Sequence, residues 1–340
     1  MLNVSAALPL LNESKKIFIT THHKPDADAL GSSLGLYHYL KQKGHFPTVV
    51  APSEIPDFLQ WMPGIETVLN FEAASEKALD ILQDCDLIFC LDFNNLNRIK
   101  LLEKPLRAAV QPKILIDHHL LPEVDVFAYG VSEPEKSSTC EMVYDFILSD
   151  HGQHFLSQEV MQCLYAGLMT DTGSFRFPVT SASVHHMIAD FKNRGFLHSE
   201  IHDLIYDSWS ENRMRLLGFV LYEKMEIFPE EKVGIIALSG ADLEKFNAAS
   251  GDTEGMVNYP LSVKGINQSV LLIERQDGIK ISFRSRGVID VSAFARTYFE
   301  GGGHFNAAGG HADNTRNDPN APLCDARRVE RITVHAARIV

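Results

Sequence analysis

The sequence predicts an α/β protein in two parts: an N-terminal domain on a parallel sheet, then a smaller α/β domain. Three observations carry that expectation. Lys16-Ile-Phe-Ile-Thr-Thr21, Asp86-Leu-Ile-Phe-Cys-Leu-Asp92 and Lys113-Ile-Leu-Ile116 are nearly continuous apolar runs, as strands buried on both faces require. Amphipathic helical patterns lie between and after them. At 340 residues, 45% hydrophobic and 22% charged, the chain can build about two domains, each with its own core.

The first strand runs into His22 and then a helix on which Leu30, Leu34 and Tyr37 share a face, with Gly31 and Gly35 on an adjacent stripe that allows close packing. The strands ending at Asp92 and Ile116 follow. Ser138-x-x-Glu141 reads as a capping box opening a helix through Leu148. Val160, Cys163, Leu164, Gly167 and Leu168 form the stripe of another helix. Residues 198 to 227 read as helical and partly charged, a connector. Strands then fall at Lys232–Leu238, Ser269–Ile273 and Lys280–Arg286; in the last, Lys280, Ser282, Arg284 and Arg286 share one face, and Ile281 and Phe283 the other. Val291–Phe299 reads as a helix ended by Gly301-Gly-Gly-His304. The expected limits are 1–190 for the first domain, 191–228 for the connector and 229–313 for the second domain. Residues 314–340 form a tail in which Asn314–Pro322 is turn-like.

The net charge is −13, and residues 1–229 carry nearly all of it, with 18 basic against 30 acidic side chains. Such a surface argues against binding long duplex nucleic acid, which needs many phosphate neutralisations. A short anionic substrate remains compatible, because bound divalent ions reverse the local field. No apolar run approaches the ~20 residues of a membrane span, and Met1-Leu-Asn-Val-Ser lacks the marks of a signal peptide. Five cysteines, Cys85, Cys90, Cys140, Cys163 and Cys324, lack any Cys-x-x-Cys spacing. Reduced thiols and a cytoplasmic location are the expectation.

The chemistry gathers at element ends. His22, Asp92 and Asp117 stand at carboxyl ends of predicted strands, where open α/β sheets place ligands. His22-x3-Asp26-x-Asp28 reads either as a ligand cluster or as a loop stiffened by Pro25, with Asp28 as the helix N-cap. Asp92, before Asn94-Asn95, reads equally as a turn residue. In Asp117-His118-His119 two adjacent histidines follow a buried strand, uncommon in an ordinary turn. Asp171 closes a helix, where a carboxylate is unfavourable by up to about 1 kcal/mol and a cation would compensate. Imidazoles with several carboxylates suit paired divalent ions, Mn²⁺ above all, with Mg²⁺ or Co²⁺ as substitutes. Two such ions clamp a phosphate and activate a water in phosphoester hydrolysis. The run Gly301–Gly310 is either a flexible loop or, with Arg284 and Arg286 on a neighbouring strand, a phosphate or carboxylate cradle.

His22-His-Lys-Pro-Asp-Ala-Asp-Ala-Leu-Gly-Ser32, Leu91-Asp92, Asp117-His118-His119 and Thr170-Asp171-Thr-Gly-Ser-Phe-Arg176 resemble the four motifs of DHH-type phosphoesterases. Gly301–Gly310 is similar to the signature of the DHH-associated C-terminal domain, so that the resemblance covers roughly residues 15–312. Within the family the layout is most similar to nano-RNases, which degrade short oligoribonucleotides and dephosphorylate 3′-phosphoadenosine 5′-phosphate. The resemblance implies an active site in the cleft between the domains. It places His22 and Asp26 on a first Mn²⁺, and Asp28, His118 and Asp171 on a second, with Asp92 bridging. Asp117 would orient the histidines, and His119 would face the scissile phosphate. Arg284, Arg286, Gly302, Gly303 and His304 would hold the substrate. Partners would be short oligoribonucleotides or mononucleotide bisphosphates, in a chain that a homodimer would suit.

Competing expectations keep the metals and change the substrate. A phosphodiesterase of cyclic or linear dinucleotides such as cyclic di-AMP uses the same domains. A RecJ-like single-strand exonuclease would call for an added OB-type domain or basic channel. An inorganic pyrophosphatase would need a lysine- and arginine-rich second domain. A nucleotide sensor without catalysis is opposed by the complete ligand set.

Overall fold

The computed structural model describes residues 2–249, 251–275 and 278–312; the expected tail at 314–340 lies outside them. The chain divides into two compact units, Met1–Ser208 and Trp209–Val340.

In the first unit the chain runs β1 (Lys16–Thr20), α1 (Ala27–Gln42), β2 (Phe46–Ala51), β3 (Leu69–Asn70), α2 (Ser75–Asp84), β4 (Leu87–Leu91), α3 (Glu103–Ala108), β5 (Lys113–Asp117), β6 (Tyr129–Ser132), α4 (Thr139–Ser149), α5 (Gln158–Asp171), α6 (Ala182–Asn193) and α7 (His198–Tyr206). The six strands form one parallel sheet in the order β3-β2-β1-β4-β5-β6. Strand alternation splits the apolar runs between two cores. Ile17, Ile19, Phe89 and Ile114 meet helices α1, α4 and α5 on one face. Phe18, Ile88, Cys90 and Leu115 meet Ala78, Leu82 and Leu106 on the other. Burial on both faces explains why these strands show no polar alternation.

The expected glycine stripe on α1 packs against α5. A Cβ at Gly35 would come within 2.5 Å of Leu164, and one at Gly31 would overlap the carbonyl oxygen of Cys163. Gly167 on α5 makes the reciprocal approach, 2.7 Å from the Cα of Asp28 for an added Cβ. Small residues thus let the two helices close until Asp28 and the end of α5 are neighbours.

Two caps differ from expectation. Asp26, not Asp28, is the N-cap of α1, accepting from the amides of Asp28 and Ala29 at 3.0 Å each. The cap stands two residues earlier than the cap reading assumed, with Asp26 in extended backbone at φ −97° and ψ −166°. The Ser138–Glu141 capping box is only half made. Ser138 accepts from the Glu141 amide, but the Glu141 carboxylate turns to the amide and hydroxyl of Ser137, at 2.9 and 2.7 Å. Glu141 is buried there, and Ser137 offers it two donors where the cap amide offers one.

The second unit contains α8 (Glu211–Phe219), β7 (Met225–Phe228), β8 (Val233–Leu238), α9 (Gly240–Lys245), β9 (Gln268–Arg275), β10 (Gly278–Ser285), α10 (Val291–Tyr298), β11 (Gly302–His304) and β12 (Ala307–Ala312). Its sheet runs β11-β12-β10-β9-β8-β7 and is antiparallel except between β8 and β9. The division at residue 208 falls inside the stretch expected to be one helical connector, which is two helices, α7 and α8, and a π-turn over Val220–Lys224. The glycine-rich run is a hairpin rather than a loop, with Gly302 opposite Gly309 and His304 opposite Ala307. Its glycines serve backbone packing: Gly303 adopts φ +142°, and a Cβ at Gly310 would lie 2.6 Å from that of Phe299. No helix of the described residues is long and apolar enough to cross a membrane.

Candidate metal centre

Adjacent strands β1, β4 and β5 release their chain at one edge of the sheet, beside the point where strand order reverses. Open α/β sheets bind ligands at such a point. His22 follows β1, Asp92 follows β4, and Asp117-His118-His119 ends β5. Helices supply the rest: Asp26 and Asp28 at the start of α1, and Asp171 as the last residue of α5.

Asp92 is at the middle of this set. Its backbone takes the left-handed φ of +63°, which an aspartate tolerates better than most residues. One carboxylate oxygen lies 3.5 Å from Nε2 of His22, and the other 3.4 Å from Nε2 of His118. Among the described residues three groups share it: His22, Asp26 and Asp92; Asp28, Asp92 and His118; and Asp92, Asp117 and His119, in the last of which Asp117 already holds the imidazole. Asp171 joins the second group, 3.5 Å from His118 Nε2.

The ring tautomers follow from the partners of Nδ1. His22 Nδ1 lies 3.0 Å from the His23 carbonyl oxygen, and His118 Nδ1 lies 3.3 Å from that of Lys136. A carbonyl only accepts, so both Nδ1 atoms carry hydrogen. Nε2 of each ring then faces the carboxylates, carrying a proton there when no metal is bound and offering a lone pair to a cation in its place. Asp28 is fully buried, and its two oxygens accept from the amides of Thr139 and Cys140 at 2.7 and 2.9 Å. The Thr139 hydroxyl donates to Asp92 at 3.0 Å. Asp117 holds His119 twice, through Nδ1 at 2.7 Å and the backbone amide at 3.1 Å.

The electrostatics record several buried carboxylates crowded together. Burial, and then the charge of Asp92, push the Asp28 carboxyl up to about 7. Burial and the neighbouring Asp28 and Asp26 raise Asp171 well above the usual carboxylate range. Burial also disfavours charge on His118, but the hydrogen bond and charge of Asp92 overcome it and bring the imidazole to about 10. For Asp92 burial is likewise outweighed, by hydrogen bonds from His118 and His22, and its carboxyl lies well below the ordinary value. His119 is depressed by burial and then by the positive charge of Arg98. A crowd of carboxylates around two imidazoles, with oxygens and nitrogens 3.4 to 3.8 Å apart, is a donor set that divalent cations fit.

All of His22, Asp26, Asp28, Asp92, Asp117, His118, His119 and Asp171 are thus gathered in the first unit. Arg284, Arg286, Gly302, Gly303 and His304 belong to the second. Arg284, Ala307 and His304 are register partners across β10, β12 and β11, so the two basic residues share a face with a small residue between them. Arg286 lies past the end of β10 and is exposed, its amide donating to the Asn267 carbonyl at 2.8 Å. Sequence reasoning missed Thr139 and Arg98. The only hint of Thr139 was its place at a helix start, and Arg98 carried no pattern at all.

Comparison with known proteins agrees with this geometry. The family model "DHH family, N-terminal domain" matches residues 16–168, and the "DHHA1 domain" matches residues 230–322. The bifunctional oligoribonuclease and PAP phosphatase NrnA of Thermus thermophilus is 32% identical over 296 residues, covering 86% of this chain and 83% of that protein. Its namesake in Bacillus subtilis is 28% identical over 298 residues, covering 86% and 88%. A crystal structure of an exopolyphosphatase-related protein from Bacteroides fragilis superposes with a TM-score of 0.90 at 36% identity, covering 98% of this chain and 95% of the other. With its histidines and aspartates gathered at the switch point of the sheet and a DHHA1 domain following in sequence, the chain belongs to the DHH family and is a phosphoesterase.

Proposed function

We propose that this protein is a manganese-dependent hydrolase of short oligoribonucleotides and of 3′-phosphoadenosine 5′-phosphate, working in the cytoplasm. The observation that carries the reading is the pair of imidazole and carboxylate groups sharing Asp92, with both histidines presenting Nε2 inward. His22, Asp26 and Asp92 would hold one ion, and Asp28, Asp92, His118 and Asp171 the other. When bound, two divalent ions polarise the phosphoryl group and lower the pKa of an attacking water.

The chain's own residues do the remaining work. Asp117 fixes the ring of His119, whose neutral form is favoured by burial and by Arg98. With its Nδ1 hydrogen committed to Asp117, His119 in that form presents the Nε2 lone pair and can accept a proton or a hydrogen bond at the scissile phosphate. Arg284, Arg286, Gly302, Gly303 and His304 are the proposed substrate-binding set, with Arg284 and His304 on one sheet face. The domain limits proposed are 1–190, 191–228 and 229–313. The similarity to two NrnA proteins supports the substrate class.

The test is manganese-dependent release of product from 5′-labelled RNA of two to five nucleotides, beside 3′-phosphoadenosine 5′-phosphate and a cyclic dinucleotide. Turnover of the first two with little of the third is the expected result. Preference for the cyclic compound would keep the site and move the protein to signal degradation. Absence of turnover with metal bound would overturn the reading.

A further inference from the structure

We propose that Arg98 is a phosphate-binding residue of the first unit, its guanidinium taking non-bridging oxygens of the substrate's phosphoryl group beside the metal centre. The proposal rests on the phosphoesterase reading above and adds a residue that no motif of the family resemblance singled out.

The backbone places Arg98 beside the centre. After Asp92 the chain turns through Asn94 and Asn95, and the Asn95 side chain accepts from the Asn97 amide at 3.0 Å. The Asn95 carbonyl accepts from the Arg98 amide at 3.1 Å, and the Arg98 carbonyl accepts from the amide of His23 at 2.9 Å. Arg98 is therefore tied, through its own backbone, to the residue next to His22. Its charge is felt at His22, Asp117 and His119, three groups that converge on the centre from two different strands.

Among the described residues its side chain has no recorded partner. Arg107 is held by Glu103 and Glu123, Arg194 by Asp190, Arg213 by carbonyls of the 251–254 turn, and Arg215 by Glu211. Arg176 donates to the Gly173 carbonyl. Arg98 is half-buried, yet among the described residues its guanidinium makes no hydrogen bond and no ion pair. A structural arginine at that depth would be expected to have found a carboxylate or a carbonyl.

Charge balance supplies the reason for one cation more. Asp26, Asp28, Asp92, Asp117 and Asp171 bring five carboxylates to the centre. Two divalent ions leave one of those charges uncompensated, before a phosphoryl group adds its own. A planar guanidinium restores neutrality and can fork onto two phosphoryl oxygens, which an ammonium cannot.

The experiment compares the full chain with Arg98→Gln and Arg98→Lys. Manganese stoichiometry and inorganic phosphate affinity are measured by calorimetry on the manganese-loaded proteins, and kcat/KM on 3′-phosphoadenosine 5′-phosphate. Arg98→Gln is expected to keep wild-type manganese stoichiometry and lose about 10- to 100-fold in phosphate affinity and in kcat/KM. Arg98→Lys should fall between the two, because it keeps the charge and loses the fork. Unchanged phosphate affinity in Arg98→Gln would overturn the proposal. Loss of manganese by both variants would overturn it too, since Arg98 would then be holding the site together. A wild-type chain that binds manganese and phosphate but hydrolyses none of the three probes would sink the functional reading alone, and the phosphate comparison would still decide the role of Arg98.

Discussion

Asp92 concentrates several demands in one side chain. It faces His22 with one oxygen, faces His118 and accepts from Thr139 with the other, and does so from a left-handed backbone. Asp92→Asn keeps the shape and the tolerance for that backbone, whereas alanine would add strain of about 1–2 kcal/mol. Asp92→Asn should lower kcat by at least about 10³-fold and reduce bound manganese below two ions, with far-ultraviolet dichroism unchanged. Full metal occupancy in that variant would remove Asp92 from the shared position. Thr139→Val deletes only the hydroxyl, leaving the amide that holds Asp28. A hydrogen bond to a charged group contributes about 1.5–3 kcal/mol, so manganese affinity should drop by roughly 10- to 100-fold, and Thr139→Ser should restore it. Glu141 works one step further out, where it fixes the turn whose Lys136 carbonyl orients His118. Burial opposes its ionisation, but hydrogen bonds from Ser183 and Ser137 win and hold its carboxyl below the ordinary 4.5. A depressed folded-state pKa gives stability that is present above the unfolded value and is lost as pH falls through the folded one. Glu141→Gln should therefore lose stability at neutral pH, and its deficit should shrink below about pH 4 in urea titrations. A deficit independent of pH would refute this role of the charge.

Helices α1 and α5 set how closely Asp28 and Asp171 can approach. Alanine at Gly31 would gain up to about 1 kcal/mol of helix propensity. It would also drive a Cβ into the Cys163 carbonyl, with Cys140 Sγ 3.0 Å away. Overpacking against a backbone atom costs about 1–3 kcal/mol and outweighs the gain. Gly31→Ala should therefore lower stability by about 1–2 kcal/mol in denaturant titration, and manganese affinity with it, because Asp28 rides on α1. A more stable variant would show that the helices have slack. That glycine stripe was legible in the sequence, as were the strands β1, β4 and β5, because periodicity and apolar runs report directly on burial. The histidine and aspartate clusters were legible for the same local reason: each sits within a few residues of an element end. Asp26 as cap, and the turn of Glu141 toward Ser137, were not, since competing donors one residue apart differ only in three dimensions. The sequence of Gly301–Gly310 points to an anion cradle or a loop and not to a hairpin, because glycine's backbone freedom and its usefulness in tight packing leave the same mark. Thr139 was invisible because the carboxylates it holds, Asp28 and Asp92, lie far along the chain, and Arg98 because nothing local marks which side chains its turn is brought beside.

Across the whole molecule, the contact between Asp28 and the start of α4 has a temporal meaning. The acceptor and its two donors are 111 and 112 residues apart. Closing a chain segment of that length costs roughly 4 kcal/mol of loop entropy, and nothing local rewards it before α1, α4 and the sheet have assembled. The cation-binding set is therefore among the last things this unit completes, and an ion has no organised half-site to nucleate on. Manganese should leave the refolding limb of a stopped-flow chevron where it is and slow the unfolding limb by the factor with which it stabilises the protein. Faster refolding in manganese would mean that the ion recruits its ligands early. A chain still emerging from the ribosome would carry strands, helices and three of its motifs, yet it would be unable to keep a pair of ions until residues past Asp171 had been made.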